Sequence, residues 1–292
     1  MPVKRKRPGL LSSTRLRSGN PSRSLSSRAT RTIVRDHHTL RKQLRLARRA
    51  NNEEAIQRLE GQITELGGLE EYQRASMQGQ AASRGGDSSK ILVEWITELL
   101  KIHDLDTDTS SKRQFKLLEV GALRVDNVCA RCGLFELERI DLHSQHPSIK
   151  EQDFLERPVP APNCAAVKGF DVVSLSLVLN FVDDAAQRGE MLRRAGLFLR
   201  DCSANLGQER LPFPCLFSVL PDPCLSNSRY LDLPRFEAIM QSLGFSVLRS
   251  KSSAKLIYHL FTYEKAKART AIFKKEEVRS GRSRNNFAIV LK

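Results

Sequence analysis

The sequence predicts an α/β fold: a doubly wound, mostly parallel sheet with helices on both faces. Three observations carry it. Residues 115–123 read as a buried strand that runs into a tight turn at Gly121. Residues 137–140 read as a second strand that ends on Asp141, 20 residues beyond Gly121. Residues 170–179 form a near-continuous apolar run, the pattern of a central strand covered on both sides. Helix-period stretches separate these segments, which gives a β-α-β-α-β alternation.

Taken from the N terminus, residues 1–35 are rich in Ser, Arg and Pro and poor in large apolar side chains. Such a segment buries too little to order itself, so a disordered basic tail is expected. Asp36 reads as a helix N-cap, followed by Leu40, Leu44 and Ala47 at helical spacing. Asn51 and Asn52 interrupt that helix. Ile56, Leu59, Ile63 and Leu66 mark a second helical stripe, stopped by Gly67 and Gly68. Residues 36–88 are thus a helical accessory region. Its last part holds Tyr72, Gln73, Ser76 and Met77 in a short helical stretch. Those polar groups suit a lid over a ligand pocket, whereas Tyr72 and Met77 also suit plain packing.

The main domain is expected over residues 89–292. Ile91, Leu92, Trp95, Ile96, Leu99 and Leu100 form an amphipathic helix ahead of the first strand. Gln152, Asp153 and Phe154 lie in a short element before a Pro-rich loop. Residues 188–199 read as a helix, 215–220 as a strand, and 233–243 as a helix closed by Gly244. Residues 245–248, 256–263 and 286–291 supply late, antiparallel-looking strands.

Charge is uneven. The chain of 292 residues carries +15 overall. Residues 1–50 hold 15 basic residues and one acid, residues 251–292 hold 11 and 3, and the middle is net acidic. Basic ends of this kind neutralise phosphates, or serve as solubilising or import segments. The Lys/Arg run at residues 4–7 reads as a nuclear localisation patch. No apolar stretch is long enough to span a membrane, and the N terminus lacks the apolar core of a secretory signal.

The Gly121 turn and Asp141 point to a nucleoside-bearing cofactor. A glycine lets a ligand approach the backbone, and an acid at the end of the second strand accepts hydrogen bonds from ribose hydroxyls. The turn Gly121-Ala122-Leu123 lacks the further glycines of a dinucleotide site, which favours S-adenosylmethionine. Cys129 and Cys132 form a C-x-x-C pair with no second close pair, so they read as buried free thiols in a reducing compartment. His143 and His146 have no third ligand in the pattern, and no metal site is expected. Arg229 and Tyr230 suit phosphate and base contact, or a surface arginine beside a packed tyrosine.

Several motifs resemble those of class I S-adenosylmethionine-dependent methyltransferases. Leu118-Glu119-Val120-Gly121 resembles the first motif and Asp141 the acid that holds the ribose. Asp153 and Phe154 resemble the segment that meets the adenine, and residues 176–182 the motif that faces the transferred methyl. With residues 67–76 and 140–142, the set resembles the fungal 25S ribosomal RNA adenine-N1 methyltransferase family over nearly all of residues 36–292. The resemblance implies a Rossmann-like sheet, S-adenosylmethionine as cofactor, and action in the nucleus and nucleolus; a monomer is expected. Its substrate would be large-subunit ribosomal RNA, held partly by the basic N-terminal region. Adenine N1 offers a lone pair without losing a proton, so no strong general base is needed. Asn180 would orient the base through its amide and Phe181 would stack on it; the plainer readings are a turn cap and a core ring. Animal relatives of similar architecture imply the alternative of a non-catalytic S-adenosylmethionine sensor that binds protein partners.

Overall fold

A computed structural model of the chain describes residues 27–68, 86–102, 114–144, 146–160, 169–201 and 213–292. Seven strands form one sheet: β1 (Phe115–Val120), β2 (Phe135–Asp141), β3 (Lys150–Glu151), β4 (Val172–Ser176), β5 (Cys215–Pro221), β6 (Phe245–Ser252) and β7 (Leu256–Tyr263). Their order is β3-β2-β1-β4-β5-β7-β6. The first five run parallel, and β7 runs antiparallel to both neighbours. The chain reverses its direction of progress across the sheet between β1 and β4. Ligands of open α/β sheets bind outside the carboxyl ends of the strands at such a switch point.

The described helices are α1 (Ser27–Arg49), α2 (Glu53–Glu65), α3 (Ser89–Ile102), α4 (Val128–Arg131), α5 (Ala185–Phe198), α6 (Pro223–Ser226) and α7 (Leu233–Ser242). Successive side chains of a strand point to opposite faces, and each face has its own core. Leu118, Val173, Leu216 and Leu220 join Leu192 and Phe198 of α5 and Phe236 and Ile239 of α7 on one side. Leu117, Val172, Phe217 and Val219 join Leu92, Trp95, Ile96 and Leu100 of α3 on the other. The Trp95 and Phe217 rings meet edge-on at 6.2 Å.

Two elements differ from the sequence expectation. Helix α1 begins at Ser27, not near Asp36, so residues 27–35 are helical and outside any disordered tail. Ala29, Ile33, His37, Leu40, Leu44 and Ala47 are all buried or half-buried, so the apolar stripe extends back past Asp36. Thr30, Thr32, Ile33 and Val34 are weak helix formers, which masks that stripe in the sequence. α1 turns into α2 at Asn51, whose φ is 50°, and Asn52 caps α2 through the Ala55 N–H (3.0 Å). Arg48 of α1 reaches Glu60 of α2 at 2.7 Å.

The second difference is at the C terminus. Residues 286–291 form no strand of the sheet. They lie against α5 instead: the Val290 N–H donates to Ala185 O (2.9 Å). A Cβ at Gly189 would sit 2.0 Å from Val290 O, so only glycine admits this approach. The segment expected as a lid, residues 72–79, lies outside the described residues, as do residues 1–26. Among the described residues, no helix is long and apolar enough to cross a membrane.

His259 of β7 is fully buried, with Ser218 of β5 directly across the ladder. Its ring stacks on Phe261 (5.3 Å) and meets Phe236 edge-on (5.5 Å). Neither ring nitrogen has a hydrogen-bond partner among the described residues. Burial pushes its pKa from 6.5 down to about 4. The unfolded chain therefore takes up a proton at a pH where the folded chain does not. Stability should be intact above pH 6.5 and fall as the pH drops from there to about 4, by roughly 3 kcal/mol. Urea titrations across that range should show the loss, and a His259→Phe variant should show a flatter profile. An unchanged slope in the variant would assign the acid sensitivity elsewhere.

Candidate active site

The site is assembled from the ends of β1, β2 and β4. Past β1 the chain turns at Gly121, whose φ is +74°. The N–H groups of Gly121 and Ala122 both donate to Ile140 O, at 2.8 and 3.1 Å. These bonds tie the turn to the end of β2 and set Asp141 beside it. The expected reason for glycine here was room for a ligand. The structure adds two others: the left-handed backbone, and Val178, whose Cγ2 lies 2.6 Å from where a Cβ would stand.

Asp141 is half-buried. One carboxylate oxygen accepts from the His143 N–H (2.9 Å). The other has no donor among the described residues. Burial is the main influence on this carboxyl and raises its pKa, partly offset by the His143 N–H. The Asp141 carbonyl accepts from the Gln152 N–H (2.9 Å), which holds the next segment at the same edge.

Asp153 uses one oxygen to accept from the Leu155 N–H (2.7 Å), shaping a tight turn. Phe154 is not available as a ring to a ligand. Its side chain is buried in the core against Phe198, with centroids 5.3 Å apart. What Phe154 offers is its backbone N–H, for which the described residues provide no acceptor.

At the end of β4 the backbone is strained. Leu177 has φ +58°, a left-handed conformation that costs a non-glycine residue about 1–2 kcal/mol. Its N–H is held by Val219 O (2.9 Å). The kink carries Val178 onto the Gly121 turn and Leu179 into the core. Asn180 follows, and its Oδ1 is buried without a hydrogen-bond partner. Phe181 is half-exposed and belongs to neither core cluster. The geometry thus brings Gly121, Asp141, Asp153 and Asn180 to one carboxyl edge.

Two supports were not foreseen. Arg188 of α5 is buried and donates to Leu179 O (3.1 Å), Val182 O (2.8 Å), Asp183 O (3.5 Å) and Ala288 O (2.7 Å). Its place three and four residues before Met191 and Leu192, on the buried face, is the sequence signal. The second is Asp87, just ahead of α3. Its carboxylate accepts from the Ser89 N–H (2.9 Å) and the Val128 N–H (2.6 Å), and so caps α3 and α4 together. Next to it, Ser88 and Ser176 share a hydroxyl hydrogen bond of 2.8 Å.

Other candidates are engaged in contacts of the fold. Arg229 spends its guanidinium on Asn286 Oδ1 and Gly281 O, both at 2.9 Å. His146 Nδ1 accepts from the Ser148 N–H (3.1 Å). No group of three or more His, Cys, Asp or Glu among the described residues is placed to hold a metal. Cys129, Cys132, Cys215 and Cys224 are free thiols, and burial pushes Cys224 up to about 12.

Five parallel strands in the order 3-2-1-4-5, with an antiparallel strand slipped in before the sixth, make the sheet of class I methyltransferases. The comparisons narrow that class. The model of the family "25S rRNA (adenine(2142)-N(1))-methyltransferase, Bmt2" matches residues 57–289. A Schizosaccharomyces pombe 25S rRNA adenine-N(1) methyltransferase is 38% identical over 275 residues, 94% of this chain and 96% of that protein. A Saccharomyces cerevisiae 25S rRNA (adenine(2142)-N(1))-methyltransferase is 38% identical over 79% of this chain and 62% of that protein. Among solved structures, the 16S rRNA methylase RmtB is 10% identical with a TM-score of 0.43, covering 80% of this chain and 98% of that one. The chain belongs to the Bmt2 family, and its methyl donor is S-adenosylmethionine. The residues present suit that donor: the spare Asp141 oxygen fits a ribose hydroxyl, and the Phe154 N–H with the second Asp153 oxygen fits an adenine edge.

Val178 and Gly121 provide a test of this geometry. Gly121→Ala should lower stability by about 1–2 kcal/mol from backbone strain, with a further loss from the Val178 contact. Adding Val178→Ala should return that further part in thermal melts. If the second change returns nothing, the contact does not restrict residue 121.

Proposed function

We propose that this chain transfers a methyl group from S-adenosylmethionine to N1 of an adenine in large-subunit ribosomal RNA. The observation that carries the reading is the buried, unpartnered Asn180 Oδ1, two residues past the Val178 that packs on the Gly121 turn. A buried acceptor left unpaired costs about 1–3 kcal/mol, which a ligand donor would recover. The exocyclic amine of an adenine is such a donor. An amide held there fixes the base in its plane and leaves the N1 lone pair free.

When bound, S-adenosylmethionine supplies an electrophilic methyl on a sulfonium. The chain's own part is alignment and exclusion of water. Asp141 would hold the ribose of the donor, while Asp153 and the Phe154 N–H would hold its adenine. Asn180 would orient the target base, and the half-exposed Phe181 ring would stack on it. No side chain needs to remove a proton, because N1 already has its lone pair. A sensor without catalysis would have no use for an unpaired acceptor at this place, so transfer is the better reading.

The relatives' names support ribosomal RNA as substrate, and the basic N-terminal region supports contact with its phosphates. Large-subunit RNA and the basic run at residues 4–7 favour action in the nucleus, at the nucleolus.

Two substitutions separate donor binding from base orientation. Asp141→Ala removes a charge-assisted hydrogen bond and should weaken S-adenosylmethionine binding by roughly 1.5–3 kcal/mol in calorimetry. Unchanged affinity in a folded variant would remove Asp141 from the site. Asn180→Ala should leave that affinity alone and lower the methylation rate of an rRNA fragment by about a hundredfold. Mapping of N1-methyladenine by primer extension gives the readout, and full activity in the variant would end the base-orienting role.

A further inference from the structure

We propose that residues 273–286 form a second docking surface for the substrate RNA, one that grips its phosphate backbone beside the Asn180 loop. The inference rests on RNA as the substrate.

The segment has little regular structure, yet it is firmly held. Three arginines serve this purpose. Arg229 reaches Gly281 O and Asn286 Oδ1. Arg235 donates to Lys274 O (2.6 Å) and pairs with Glu276 (3.0 Å). Arg279 donates to Ser226 O, Leu225 O and Leu231 O. Phe273 and Leu291 exchange two backbone hydrogen bonds, at 3.0 and 3.1 Å.

With its backbone fixed, the segment turns other cations outward. Lys274, Lys275 and Arg282 are exposed. None of them has a carboxylate partner among the described residues. The Lys275 ammonium lies 4.3 Å from the centre of the half-buried Tyr230 ring. Glu277 is exposed nearby, but Glu276 is already neutralised by Arg235. Cations held on an ordered backbone lose little further freedom when they meet phosphates, unlike those of a loose tail.

The place of the segment matters as much as its charge. It is bonded to residues 225–231, which follow the carboxyl end of β5. Its continuation at Phe287 and Ala288 is tied to Arg188, which also holds Leu179 O and Val182 O on either side of Asn180. One guanidinium therefore links the basic segment to the loop that would receive the base. RNA lying along this surface would bring its bases to Asn180.

The test uses the full chain with Lys274→Gln, Lys275→Gln and Arg282→Gln combined. A control variant carries Lys101→Gln, Lys116→Gln and Lys265→Gln, at the opposite edge of the sheet. Binding of a labelled large-subunit rRNA fragment is measured across salt concentrations, with S-adenosylhomocysteine affinity and melting temperature alongside. The surface variant should bind RNA about tenfold more weakly or worse, and its salt slope should fall by roughly 2, at about 0.7 per phosphate contact. Cofactor-product affinity and melting should match the parent chain, and the control should bind RNA normally. Unchanged affinity and slope in the surface variant would overturn the proposal, as would an equal loss in the control. A parent chain that binds RNA through these cations yet leaves adenine N1 unmethylated would remove the proposed function and leave this surface standing.

Discussion

The candidate active edge depends on one buried guanidinium. Arg188 lies inside α5 and gives its N–H groups to four carbonyls on two stretches of chain, residues 179–183 and Ala288. Burying a cation forfeits its hydration, so the exchange is favourable only when the donors find acceptors. Loop carbonyls that lie outside any ladder need donors equally, and Arg188 meets both needs. Its face also lies 4.2 Å from the centre of the Phe287 ring, a cation–π contact in a dry setting. Lysine could not replace it, since a point ammonium lacks the planar fork that reaches both stretches.

That clamp makes the strain at Leu177 tolerable. A left-handed leucine persists only where its surroundings leave no alternative. On one flank the Leu177 N–H is fixed to β5, and on the other Leu179 is buried with its carbonyl on Arg188. The strained turn presses Val178 onto Gly121, so the loop after β4 and the turn after β1 hold their relative positions. Cofactor and base would bind to these two parts, and their fixed distance is what an in-line displacement requires.

Much of this was legible in the sequence because it lies on the regular period of the sheet. β4 shows as an apolar run, β1 as a mostly apolar one and β2 as apolar residues spaced between charged ones, and the spacing from Gly121 to Asp141 follows from the length of one crossover. The candidate site residues that the sequence offers are those that follow strand ends. What was hidden depends on contacts far apart in sequence. Phe154 reads as a pocket residue until its ring is seen against Phe198. Residues 287–291 form an apolar run like a strand, yet α5 and Gly189 take them out of the sheet. The start of α1 is masked by β-branched residues whose poor propensity is outweighed by the stripe they accompany. Arg188 shows in the sequence only as a charge on the apolar face of a helix, and its four carbonyls do not show at all.

The bond from Arg188 to Ala288 spans 100 residues of chain. Strands β1, β2 and β4 and helix α5 all precede the middle of that span, so the parallel half of the sheet can form while the rest is still being made. Its active edge cannot. The loop carrying Asn180 lacks its final acceptor-to-donor network until residue 288 has left the ribosome and closed a long loop, a step with a substantial entropic cost. A product of interrupted translation would then keep a recognisable sheet with an unfinished edge. The loop that would receive the base is therefore completed well after the strands that carry it.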